Sequence, residues 1–333
     1  MNVVSKTGDP KFATVYVAKV RDNPKALIEF VDALDPKYPR EEKWVIIVST
    51  QIGCPIGCLM CDSGSFFLGD LTKGEIFAQI DCVFSDHQPL VTSHCFSSHP
   101  KLKIQFARMG EPALNPCVLG VLEELPRKYP VKGLMPCIAT TAPAAVASWF
   151  ERLTGIKNEF YGGGNFQLQF SVNSTDEKAR DKMIPAKKWN LFEIAGYGEK
   201  FYRAGDRKIT LNFALAENMP LDVETIRTHF NPDKFLVKIT PVNPTAEAAK
   251  NALSTVISPL NPNGADKIAG MLSDAGFETI ISIGASEEIA IGSNCGQSVK
   301  KAMQKLLDKA RGKEVLNGGY SDNGSGLERR TGI

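Results

Sequence analysis

The sequence predicts an α/β protein built on a parallel sheet, and three observations lead there. Apolar periodicity switches repeatedly between two and about 3.6 residues, the mark of strands alternating with helices. Six or so such units follow one another from residue 44 onward. The chain has 333 residues, 43% hydrophobic and 23% charged, enough for one large α/β domain or two small ones with a substantial core.

Taken in order, "FATVYVAKV" and "KALIEFVDAL" read as a hairpin, or a strand and a helix, forming an N-terminal cap over 1–43. The expected strands are 44–50, 103–109, 134–140, 166–172, 208–215, 235–242 and 278–284. Between them the clearest helix starts at Thr72, with Glu75 three residues later in a capping-box pattern and Ile76, Phe77, Ile80, Val83 and Phe84 on one face. Further helices are expected at 117–125, 144–153, 190–204, 223–229 and 265–275. The alternating strands and helices, the expected barrel if the sheet curls, span 44–300, and a C-terminal helix with a flexible Gly-, Ser- and Asn-rich tail is expected over 301–333. Periodicity leaves open whether the sheet closes fully, closes in part or stays open and doubly wound.

A net charge of +2 advertises no global attraction to nucleic acid. The longest apolar run, "WVIIV" at 44–48, is far short of the roughly 20 residues of a membrane span, and the polar opening "MNVVSKTGDPKF" is not a secretory signal. A cytoplasmic location without membrane contact is the expectation. Eight cysteines are too sparse for a disulfide scaffold, so clustered thiols read as metal ligands or redox groups.

"QIGCPIGCLMCDSG" sets Cys54, Cys58 and Cys61 between a strand and a helix. Closed zinc sites want four ligands, and no fourth Cys or His stands at the usual spacing. Three thiolates suit a [4Fe-4S] cluster with one iron left for a substrate or cofactor.

Read with its neighbours, this loop resembles the cluster loop of the radical S-adenosylmethionine (SAM) superfamily, and "STQIGCPIGCLMC" resembles that of its RlmN/Cfr-type methylsynthases. Other segments resemble that branch in the same order from about Thr14 to Gln297: "RMGEPALN", "ATT", "FSVNSTDEKARDKMIP", "ITPVNP" and "EEIAIGSNCGQ". The resemblance implies a partial (β/α)6 radical SAM barrel carrying a [4Fe-4S] cluster on Cys54, Cys58 and Cys61. It implies SAM contacts from Gly110, Glu111, Thr140, Thr141, Ser171, Val172, Asn173 and Asn243, with Asn173 standing where the family has His. It also implies a methyl carrier at Cys295 and a proton acceptor at Glu29. In the family one SAM methylates the carrier, and a second supplies the radical that activates the new methyl for addition to an sp2 carbon of an adenine in RNA. An electron donor such as flavodoxin or ferredoxin is implied as a partner.

Two departures bear on the reaction. The family's second cysteine, seven residues before the first cluster cysteine, is Ile47 here. Another thiol, of which Cys137 is the first to test, takes the role, or the intermediate resolves differently, or the chemistry differs. The sequence also begins almost at the hairpin, where RNA-modifying relatives carry a helical domain. The expectation is therefore a C-methyltransferase with a non-ribosomal substrate (small molecule, nucleotide or peptide). The alternatives are an RNA adenine methyltransferase, other radical SAM chemistry on the same scaffold, or an iron-sulfur electron carrier. His87, His94, Cys95 and His99 are conceivable metal donors in a polar loop, and "YGGGN" at 161–165 reads as a turn.

Overall fold

The computed structural model describes residues 1–305 and 308, except 36, 94–95, 259 and 284–295. In chain order its strands are β1 (Asn2–Asp9), β2 (Ala13–Lys19), β3 (Leu27–Leu34), β4 (Trp44–Val48), β5 (Gln51–Gly53), β6 (Phe67–Asp70), β7 (Leu102–Phe106), β8 (Leu134–Thr140), β9 (Gln167–Ser171), β10 (Ile209–Leu215), β11 (Phe235–Pro241) and β12 (Thr279–Ile281). All but β5 and β6 form one sheet in the order β1-β2-β3-β4-β7-β8-β9-β10-β11-β12. From β4 to β12 the pairing is parallel, and β1, β2 and β3 extend it antiparallel. The architecture is the expected partial barrel with added N-terminal strands. "KALIEFVDAL" is a strand rather than a helix, and the polar opening also pairs, as edge strand β1.

Alternation with period two assigns each strand two faces. Ile46, Ile104, Ile138, Phe170, Phe213 and Val237 point outward into the main core beneath the helices. Helix Lys73–Asp86 supplies Ile76, Phe77, Ile80, Val83 and Phe84 to that core. Its capping box is formed, Thr72 Oγ1 accepting from Glu75 N at 3.2 Å and Glu75 Oε2 accepting from Thr72 N at 2.8 Å. Their neighbours along each strand, among them Ile47, Gln105, Cys137, Gln169, Asn212 and Lys238, face the lumen. The segment after β9 holds a helix, Glu177–Met183, that its short charged sequence did not suggest.

Candidate active site

The cluster loop leaves β5 and is clamped from three sides. Cys54 N donates to Phe66 O at 2.9 Å, Leu59 N to Met183 O at 3.0 Å, and Thr245 Oγ1 to Met60 O at 2.8 Å. Asp62 accepts from Glu247 N at 3.0 Å and so joins the loop to helix Ala246–Lys250. Cys54, Cys58 and Cys61 line one cavity of about 250 Å³. Burial pushes the Cys58 thiol well up, helped by Cys61, Cys54 and Glu111, and burial raises Cys61 against hydrogen bonds from Ser63 and Gly64. Crowding three thiols suits a bound soft cation, which offsets the repulsion among thiolates.

Strand ends supply the rest of this cavity. Gly110, Glu111, Thr140, Thr141, Ser171, Asn173 and Asn243 line it together with the three cysteines. Gly110 has φ +98°, and a Cβ there would lie 2.6 Å from Gln51 Cβ, so only glycine lets the β7 turn approach the cluster loop. The buried Glu111 carboxylate accepts from Thr140 Oγ1 at 2.5 Å, Thr141 N and Oγ1 at 2.8 Å each, and Ala113 N at 3.1 Å. Burial raises its pKa against the pull of those bonds. Asn173, at φ +64°, accepts from Ala214 N through Oδ1 at 3.1 Å, while its buried Nδ2 has no partner among the described residues. Val172 differs: its side chain packs into the main core, and its backbone N donates to Asn212 O at 2.9 Å. Asn212, Thr240 and Thr245 also line the cavity, and sequence reading passed over them. Counting in twos along β10 and β11 would have found the first two.

Cys295 lies outside the described residues, but the chain just after it does not. A helix begins at Gln297, and Glu29 meets its first turn. Glu29 Oε1 accepts from Gly296 N, and Oε2 accepts from Ser298 N and Val299 N at 3.0 Å each. Arg108 Nη2 lies 2.8 Å from the same carboxylate. Glu29, the implied proton acceptor, is fully buried. Lys300 Nζ bridges Asp62 at 3.1 Å and Glu247 at 3.0 Å.

Ile47 lies on the lumen face, paired with Val31 and Gln105. Gln105 in turn pairs with Cys137, so that buried thiol sits two strands from Ile47, roughly 10 Å away. Burial raises the Cys137 pKa, against Lys103 and Lys238. His87 bonds Asp32 at 2.8 Å and His99 bonds Arg40 O at 2.8 Å, while His94 and Cys95 lie outside the described residues. Among the described residues no three His, Cys, Asp or Glu side chains stand close enough to hold a single metal ion.

No known family model matches the chain. A probable dual-specificity RNA methyltransferase RlmN of Chlorobium phaeobacteroides is 26% identical over 278 residues, covering 81% of this chain and 71% of that protein. Its counterpart in Thermotoga petrophila is 25% identical over 210 residues, 61% of this chain and 56% of that protein. A radical SAM methyltransferase from Sphaerobacter thermophilus superposes with TM-score 0.68 at 18% identity, over 89% of this chain and 80% of the other. The chain is thus similar in sequence to RlmN-type methyltransferases and shares the fold of a radical SAM methyltransferase. The cofactors of such enzymes, a [4Fe-4S] cluster and SAM, fit the residues present: three thiols share one cavity with a buried carboxylate and with the unsatisfied Asn173 Nδ2. Among the described residues no helix is long and apolar enough to cross a membrane.

Proposed function

We propose that this chain is a C-methyltransferase that delivers a methyl-derived carbon through Cys295 to an sp2 carbon of a non-ribosomal substrate. The observation that carries the reading is the meeting of Cys54, Cys58 and Cys61 with Glu111 and Asn173 at one cavity. When bound, the cluster and SAM supply reductive cleavage of a sulfonium and a hydrogen-abstracting radical. Cys54, Cys58 and Cys61 would hold the iron, while Asn173 Nδ2 and the strand-end hydroxyls offer polar contacts to SAM. Glu111 fixes the orientation of Thr140 and Thr141 through the three bonds it accepts from them.

Cys295 precedes Gly296, whose backbone is tied to Glu29 and packs on the cluster loop. This anchorage favours a carrier held near the cluster, whatever further part Glu29 plays in moving a proton. A cytoplasmic setting and a flavodoxin- or ferredoxin-like reductant complete the proposal.

Reconstituted protein with SAM and dithionite should form 5′-deoxyadenosine, and the peptide spanning Cys295 should carry an added methyl. Absence of that methyl after SAM exposure rejects the carrier role. A second reading, an adenine in RNA as substrate, is favoured by the names of the relatives. Methylation of ribosomal or transfer RNA by the loaded enzyme would establish it in place of the first.

A further inference from the structure

The lumen of a β/α barrel is ordinarily filled by branched apolar side chains. Here one wall keeps to that rule, with Val15, Val31, Ala33 and Ile47 packed together. The adjoining wall, which begins at β7 beside β4, does not. Lys103 and Gln105 on β7, Gln169 on β9, Asn212 on β10 and Lys238 on β11 alternate with the residues that face the outer core. Lys238 stands two residues before Thr240 and Lys103 four before Ala107, both of which line the cluster cavity. At roughly 3.3 Å per residue the lysines lie one and two layers toward the N-terminal mouth.

Neither ammonium has a hydrogen bond or ion pair among the described residues, although both residues are half-buried. They repel each other, and Lys43 adds to the field at both while Arg207 adds to it at Lys103. The acid acting on Lys103 is Asp35, which Lys43 already pairs, and the Cys137 thiol faces both lysines. Withdrawing cations from water without a counter-charge is costly, so such a pair calls for an anion.

We propose that Lys103 and Lys238 form a binding site for the carboxylate or phosphate group of a small organic molecule, which lies along the barrel axis with an apolar side against Val31 and Ile47. Granted the function proposed above, that molecule is the substrate, and its reacting carbon reaches the cavity lined by Cys54, Cys58 and Cys61. The lumen would then select a small anion rather than a base in folded RNA.

Calorimetric titration of the full chain with inorganic phosphate, at an ionic strength fixed with NaCl, tests the site without any turnover. The wild type should bind saturably, and Lys103→Met and Lys238→Met should each weaken binding about tenfold or more, as loss of a charged hydrogen bond does. Lys103→Arg and Lys238→Arg should retain it. Lys238→Met should also melt at a higher temperature than the wild type without phosphate, since it removes an uncompensated charge. A merely structural lysine would lower it. Absent binding by the wild type, or equal binding by the Met variants, overturns the site. The proposed function is read separately, from 5′-deoxyadenosine formation and the Cys295 peptide of the wild type, so either inference can fall alone.

Discussion

Arg108 and Glu29 form an ion pair at 2.8 Å from which solvent is almost wholly excluded, their side chains being 3% and 0% exposed. The pair joins the β7 turn that carries Gly110 and Glu111 to strand β3, and the same carboxylate holds the first turn of the helix that follows Cys295. One buried group thus ties together two segments expected to handle SAM and the methyl carrier.

Removing that carboxylate should therefore be expensive. Glu29→Gln leaves a buried guanidinium without its counter-charge, which costs about 3–5 kcal/mol where a single partner of a buried pair is lost. Combining it with Arg108→Met should recover part of the loss. Urea denaturation of the two single variants and the double variant should give a coupling energy above about 1 kcal/mol. Strictly additive effects would show that the pair does not act as a unit.

Gly296 offers a second, independent lever. Its φ is +83°, and a Cβ would come within 2.4 Å of Ser63 N, two residues past Cys61. Gly296→Ala must strain the backbone and displace either the helix start or the cluster loop, at about 1–3 kcal/mol. Iron bound per chain after anaerobic reconstitution should fall together with the melting temperature. Gly74→Ala, in a helix where nothing lies within 4 Å of the added Cβ, is the control and should lower neither.

Iron loading should depend on pH in one direction. Metal ligation requires thiolates, and burial raises the pKa of both Cys58 and Cys61 in the metal-free protein. Loading at fixed free iron should thus rise as pH increases through the neutral range toward 9, with protons released on binding. Measuring iron uptake and proton release together checks this, and a loading curve that falls with pH contradicts it.

How much of this was readable beforehand follows the range of the interactions. The Thr72–Glu75 capping box and the cluster loop are local, and their residues announce themselves within a few positions. Strand ends at Gly110, Thr140, Ser171 and Asn243 were legible because a parallel sheet brings successive strand ends to one rim. Val172, expected to contact SAM, turns its side chain into the main core because one step along extended chain reverses the face. The tie from Glu29 to Ser298 spans 269 residues, and no spacing rule reaches that far. Lys103 and Lys238, on strands four apart in the sheet, feel each other's charge only because the sheet curls, which periodicity cannot decide.

The uncompensated lysines also set a pH dependence of stability. Lys101, at the mouth of β7, is lowered to about 8 by burial and by Arg207, Lys43 and Lys103, against the attraction of Asp35. In the unfolded chain its value returns to about 10.5, so between pH 8 and 10.5 the unfolded state binds the extra proton and stability rises with pH. The penalty is therefore full below pH 8 and fades above it. Lys101→Met should be more stable than the wild type near pH 7, and its advantage should shrink steadily toward pH 10. Comparing the two proteins at each pH cancels the opposing titration of Cys58, Cys61 and Cys137, whose raised values weaken the fold as alkali deprotonates them. Thermal melts from pH 7 to 10 decide it: a constant difference between the two proteins would mean that the Lys101 ammonium is not under strain.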